Sequence, residues 1–146
     1  MPLSEFEMIE HFFRNATPAR DDTLLGIGDD AALVSVPAGM SLTTVMVQWQ
    51  PDMDYQPTDS GHKVGSALLQ EAIEGIQAQD ATPAWFTLSL SLPALNESWI
   101  KAFTEGVREV AITHQLDLIG GDSSRGPEVL RLQLTGLKPQ ASLDGN

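Results

Sequence analysis

Two short runs in this sequence combine residue types that could handle a cation and a phosphate. Gly26-Ile27-Gly28-Asp29-Asp30 sets glycines before adjacent carboxylates. Glycine lets a backbone approach a ligand closely, and carboxylate oxygens are the hard donors that Mg²⁺ prefers. Gly120-Gly121-Asp122-Ser123-Ser124-Arg125-Gly126 adds two hydroxyls and a guanidinium to the same theme, a set able to meet phosphate oxygens as well as a metal. Gly and Asp also dominate ordinary turns, so neither run is specific by itself. The three histidines, His11, His62 and His114, fall in separate predicted elements with no close second ligand, and read as surface or helix-end residues. His114 lies near a helix carboxyl end, where the dipole suffices to explain a base. The chain has no Walker-type lysine loop, dinucleotide fingerprint, HExxH or GxSxG.

The charge balance restricts the partners. Eight Lys and Arg stand against 20 Asp and Glu, a net charge of −12, so the surface field repels nucleic acid and anionic membranes. A bound nucleotide would need its charge offset locally, by a divalent cation or backbone N–H groups, which makes clustered Asp residues the place to look. No Cys is present, which removes disulfides, thiol catalysis and Cys-ligated zinc. No apolar run approaches the roughly 18 residues of a membrane span, and Met1-Pro2-Leu3-Ser4-Glu5 does not read as a signal peptide, so the cytoplasm is the expected location. With 146 residues, 42% of them hydrophobic, the chain is long enough for one domain with one core.

The elements that would position these runs follow from periodicity. Ser4 and Glu7 have capping-box spacing, and Phe6, Ile9 and Phe13 share a helical face, predicting a short first helix ending near Asn15. Ala31 to Val36 and Leu42 to Val47 read as two strands joined by a turn at Pro37-Ala38-Gly39, and Gln50 to Gly61 as an exposed acidic loop. Val64, Leu68, Leu69, Ala72, Ile73 and Ile76 predict a second helix over about His62 to Gln79 despite Gly65 and Gly75, closed off by Pro83. Phe86, Leu88, Leu90 and Leu92 alternate with polar residues as a strand. Asn96 is the expected N-cap of a third helix ending around His114. A short strand Leu116 to Ile119 would then run into the Gly120 to Gly126 loop, with a last strand from Val129 to Leu137. Residues 1–139 thus make one domain, and 140–146 are expected to be a disordered tail. Helices interspersed with one-sided strands predict a two-layer α/β (α+β) fold, a mixed sheet with helices on one face. Val45, Val47 and Trp49 alternate with Thr44, Met46 and Gln48, so this strand is apolar on both faces; the pattern leaves open whether its second face is internal or an intersubunit contact. Trp85 and Trp99 are expected to pack, and Trp49 to pack or stack on a ring.

Taken in order, Ser4-Glu5-Phe6, Gly26 to Leu33, Pro83-Ala84-Trp85 with Leu88 to Pro93, and Leu118 to Pro127 resemble the amino-terminal half of thiamine-monophosphate kinases. That family is grouped with aminoimidazole ribonucleotide synthetase and selenophosphate synthetase. The resemblance implies a two-layer amino-terminal domain whose sheet pairs with a second subunit's into a barrel, with ATP and Mg²⁺ beside the homodimer interface. It implies Asp30 and Asp122 as magnesium ligands and Gly121, Asp122, Thr44 and Arg125 as nucleotide contacts. Thr43-Thr44 matches the start of the family's Ser-Thr-Asp motif, but Val45 stands where the acid belongs. The Asn-Leu-Ser-Asp run of the second helix is replaced by Ala67-Leu68-Leu69-Gln70-Glu71-Ala72, where Glu71 is the acid on hand. The segment after the first motif is shortened to Gln48-Trp49-Gln50, and the family's larger carboxyl-terminal domain is expected to begin where this chain stops, at Asn146. Two functions follow. One is ATP- and Mg²⁺-dependent phosphorylation of thiamine monophosphate to thiamine diphosphate, with a second domain supplied by another chain. The other, favoured by Val45 and by the expected absence of the second domain, is a degenerate, dimerising relative with weak or no ATP and Mg²⁺ binding, inactive by itself.

Overall fold

A computed structural model describes residues 17, 19–25 and 32–140. The predicted first helix, the Gly26 to Asp30 run and residues 141–146 of the expected tail lie outside the described residues.

Among the described residues, six strands and two helices follow in the order β1 (Thr23–Leu25), β2 (Leu33–Val34), β3 (Met40–Trp49), α1 (Gly61–Gln77), β4 (Thr82–Leu92), α2 (Glu97–His114), β5 (Asp117–Arg125) and β6 (Val129–Pro139). The main sheet has the order β3-β6-β4-β5; β6 runs antiparallel to both β3 and β4, and β5 runs parallel to β4. This is the expected mixed sheet of a two-layer α+β domain. β2 is shorter than its apolar run suggested and pairs with β1 in a separate two-stranded sheet, not with β3.

Alternation decides which face meets the helices. Leu130, Leu132 and Leu134 of β6 and Phe86, Leu88, Leu90 and Leu92 of β4 are buried in one cluster with Leu68, Leu69, Ile73 and Ile76 of α1 and Ile100, Phe103 and Val107 of α2. The same alternation turns Gln48, Ser89, Arg131, Gln133 and Thr135 to the opposite, open face. Val45, Val47 and Trp49 pack against the core, while Leu42 and Met46 stay 50% and 63% exposed on the outward row of the edge strand. Trp85 is buried from the open side: its indole N–H donates to Thr23 Oγ1 at 2.9 Å, and the Arg20 guanidinium lies 5.3 Å from its ring centroid.

Each helix begins where a cap was available. The Ser60 hydroxyl accepts from Lys63 N, and Asn96 Oδ1 accepts from Trp99 N at 3.1 Å, as its sequence position predicts. Helix α1 ends at Gln77, before Pro83, because Asp80 turns the chain through the left-handed region at φ 59°. Pro83 instead lies inside β4, at a register irregularity opposite β6 where its missing N–H is tolerated. The two helices touch backbone to backbone. A Cβ on Gly65 would lie 2.3 Å from Phe103 O, and one on Gly106 would lie 2.2 Å from His62 O.

Candidate functional site

Asp122 sits on a strand and not in a loop. β5 continues through Gly120 and Gly121 to Arg125 in parallel register with β4, Gly121 opposite Leu88 and Asp122 opposite Ser89. The expected Gly120 to Gly126 phosphate loop is therefore corrected to an edge strand. Pairing with β4 commits alternate backbone groups to the ladder, leaving the outward half at the sheet edge. Turn chemistry in the sequence concealed this, because the strand is held by its neighbour and not by its own propensity.

Gly121 has a structural reason to be glycine: a Cβ there would stand 2.2 Å from Leu88 O on β4. Gly121→Ala is expected to push the two strands apart and destabilise the domain by about 1–3 kcal/mol, read by urea denaturation, whereas Gly120→Ala should be near neutral. At Gly120 the added carbon meets only Thr87 Cγ2, at 3.7 Å.

The Asp122 carboxylate is exposed, and its Oδ1 accepts from Ser123 N at 2.8 Å. Register places it in one row of the sheet with Ser89, Arg131 and Gln48. Arg131, unmarked by any motif, lies in this row and donates through Nε to Gln48 Oε1 at 2.8 Å. Arg125 is exposed at the end of the same strand.

Thr44 belongs to the opposite edge. Its hydroxyl donates to Leu134 O at 3.2 Å and accepts from Gln133 Nε2 at 3.2 Å. The order β3-β6-β4-β5 puts three strand spacings between Thr44 and Asp122, and Thr44 lies four residues along β3 from the Asp122 row. At roughly 4.8 Å per strand and 3.3 Å per residue, the separation is about 20 Å. No single cation or phosphate group spans that distance, so one copy of the chain does not bring these two residues to one such ion.

Val45, where the resemblance places the family's acid, faces α1, where a Cβ on Gly75 would meet Val45 Cγ1 at 3.3 Å. Glu71 lies on this side of the sheet too, but its Oε2 accepts from Trp49 Nε1 at 3.0 Å. Asp30 lies outside the described residues, and among those described no group of three His, Asp or Glu gathers closely enough to hold a metal ion. His62 pairs with Glu109 at 2.7 Å on the exposed helix surface, and His114 occupies the last turn of α2; His11 is outside the described residues.

Another cluster carried no sequence signal, because its members are far apart in the chain. The Gln50 to Gly61 segment is tied down by hydrogen bonds from Asp52 N to Tyr55 O at 2.7 Å and from Gln50 N to Asp54 Oδ2 at 2.8 Å. This buries Tyr55 to 7% exposure, and its hydroxyl donates to Glu128 Oε2. The ring stands 6.2 Å from that of Trp49, tilted by 32°. Burial first, and then the Glu128 carboxylate, raises the Tyr55 phenol well above its ordinary range. A group whose acid form the fold favours adds stability below its unfolded pKa and loses it as pH rises. The wild-type protein is therefore expected to lose stability above about pH 10 relative to Tyr55→Phe, measured by urea denaturation at stepped alkaline pH.

A mixed four-stranded sheet with two helices on one face and a mainly polar row of side chains on the other defines a two-layer α+β domain. The chain belongs to the family of AIR synthase related proteins, whose N-terminal domain matches residues 28–137. It is 34% identical to the thiamine-monophosphate kinase of Escherichia coli K12 over 145 residues, which is 95% of this chain and 43% of that enzyme. The crystal structure of thiamine-monophosphate kinase from Stenotrophomonas maltophilia K279a superposes with a TM-score of 0.81 at 38% identity, over 95% of this chain and 44% of that one. The Aquifex aeolicus thiamine monophosphate kinase, at 20% identity and a TM-score of 0.66 over 71% of this chain and 36% of that one, shares the fold. The chain spans less than half the length of these relatives. Among the described residues no helix is long and apolar enough to cross a membrane.

Proposed function

We propose that this domain is a degenerate thiamine-monophosphate kinase-like module that pairs with a second copy and binds Mg²⁺ and ATP weakly or not at all. The observation that carries this reading is Val45. The resemblance places the family's acid here, and the side chain present is a branched hydrocarbon packed toward the core against Gly75. An acid there would serve a cation; valine serves packing. Pairing is supported by the two sheet edges. Thr44 on β3 and Asp122 on β5 are about 20 Å apart within one chain, so a site using both would need the β3 edge of one copy beside the β5 edge of another. Leu42 and Met46, exposed on the outward row of β3, supply apolar area for that contact.

A second reading, phosphorylation of thiamine monophosphate with the rest of the machinery supplied by another chain, is favoured by Asp122, whose exposed carboxylate remains open to a cation. Calorimetry with ATP, with and without Mg²⁺, separates the two. The degenerate module is expected to give no cation-dependent heat up to about 1 mM nucleotide. Saturable, Mg²⁺-dependent binding that Asp122→Asn abolishes would overturn that expectation and establish the nucleotide site.

A further inference from the structure

A cavity of about 340 Å³ opens between the Gln50 to Gly61 segment, the end of β4 and the first turn of α2. Its volume lies within the range of small-ligand sites. Pro51, Pro57 and Pro93 give it stiff walls, Tyr55 and Trp99 line it with aromatic rings, and its charged lining residues are Asp52 and Glu128, both acids. Among the described residues no Lys or Arg lines it.

Both rings are held in place by the protein itself. Tyr55 is held through its hydroxyl to Glu128 Oε2. Trp99 stacks on Phe103, with centroids 5.4 Å apart and planes at 20°, and its indole N–H donates to Asp59 O at 3.4 Å. The loop wall is closed by Asp52, at φ 70°, whose N–H bonds back to Tyr55 O at 2.7 Å. Among the described residues, Glu128 Oε1 accepts no hydrogen bond, so one carboxylate oxygen keeps its capacity while the other anchors the tyrosine. Rings fixed beforehand cost little further ordering when a ligand arrives.

We propose that this cavity binds a small organic cation, an ammonium group carried on an apolar body, with Tyr55 and Trp99 contacting the body and Glu128 and Asp52 offsetting the charge. Two acids with no neighbouring base repel a phosphate or a carboxylate, and an overall charge of −12 adds to that repulsion. A neutral apolar molecule would fill the volume and leave the carboxylates uncompensated. A cation satisfies the aromatic and the acidic walls together, since an ammonium is attracted both by a carboxylate and by the negative face of an aromatic ring. The inference does not depend on the pairing or nucleotide readings above, because none of the residues it uses belongs to them.

The test is a two-dimensional NMR titration of the full chain with choline chloride against matched sodium chloride, following the Trp99 indole and neighbouring amides. Saturable shifts confined to this region are expected, with a Kd in the range of about 1–10 mM. The neutral isostere 3,3-dimethylbutan-1-ol should bind at least about tenfold more weakly. Glu128→Gln, which keeps shape and removes charge, should weaken choline about fivefold or more with its amide spectrum otherwise preserved. The proposal is overturned by the absence of saturable shifts at about 50 mM choline. It is equally overturned by equal affinity for the neutral alcohol, a comparison made on the wild-type chain that no folding defect in a variant can confuse.

Discussion

Gly65→Ala is expected to destabilise this domain by about 2–4 kcal/mol, although the same change in an exposed helix interior stabilises by about 1 kcal/mol. The sign reverses because of what stands opposite. The new carbon would lie 2.3 Å from the Phe103 carbonyl oxygen, and the obstructing atom is backbone of α2, which moves only by separating the helices. Separation would strip contacts from Leu68, Phe103 and Val107, all buried at 0% exposure. Gly75→Ala provides the contrast on the same helix. Its carbon would meet Val45 Cγ1 at 3.3 Å, a side-chain methyl that can yield, so a change within about 1 kcal/mol is expected. Urea denaturation of the two variants beside the wild type checks both. Equal effects would show that helix propensity, and not interhelical contact, governs these positions.

In the proposed pairing of two copies, Met46→Lys is expected to favour the monomer while leaving the fold intact, raising the dimer Kd by about 100-fold, or about 2.7 kcal/mol. Met46 is 63% exposed on an edge strand, so lysine adds no strain within the chain. Across a pairing interface, two symmetry-related ammonium groups would be introduced into an apolar contact, which is how natural edge strands resist association. Sedimentation equilibrium over a concentration series measures the change, with thermal unfolding as the control for fold. A wild-type chain that sediments as a monomer at high micromolar concentration, or a variant that stays dimeric, would remove Met46 from the interface.

The regular elements were legible because their physics is local. Helices Gly61–Gln77 and Glu97–His114 follow from apolar residues three and four apart, the second also from its Asn96 cap, and strands β4 and β6 from alternating leucines. The errors fell where a local signal met a nonlocal partner. Gly120 to Arg125 has turn composition yet forms a strand, because β4 supplies its hydrogen bonds. Gly65 reads as a weak point in a helix, yet it is the contact that lets α2 approach. Tyr55, Trp99 and Glu128 show no pattern, since their spacing along the chain bears no relation to their meeting in space.

Composition, periodicity and two acidic glycine runs were sufficient for the class of domain, the two helices among the described residues and most of the strands there, because side-chain periodicity and capping act over a few residues. Which residues share a site was settled only by the order of strands in the sheet. That order sets Thr44 and Asp122 on opposite edges, turns Val45 inward, and closes a loop over Trp99, because pairing and burial are decided between segments that no local rule connects.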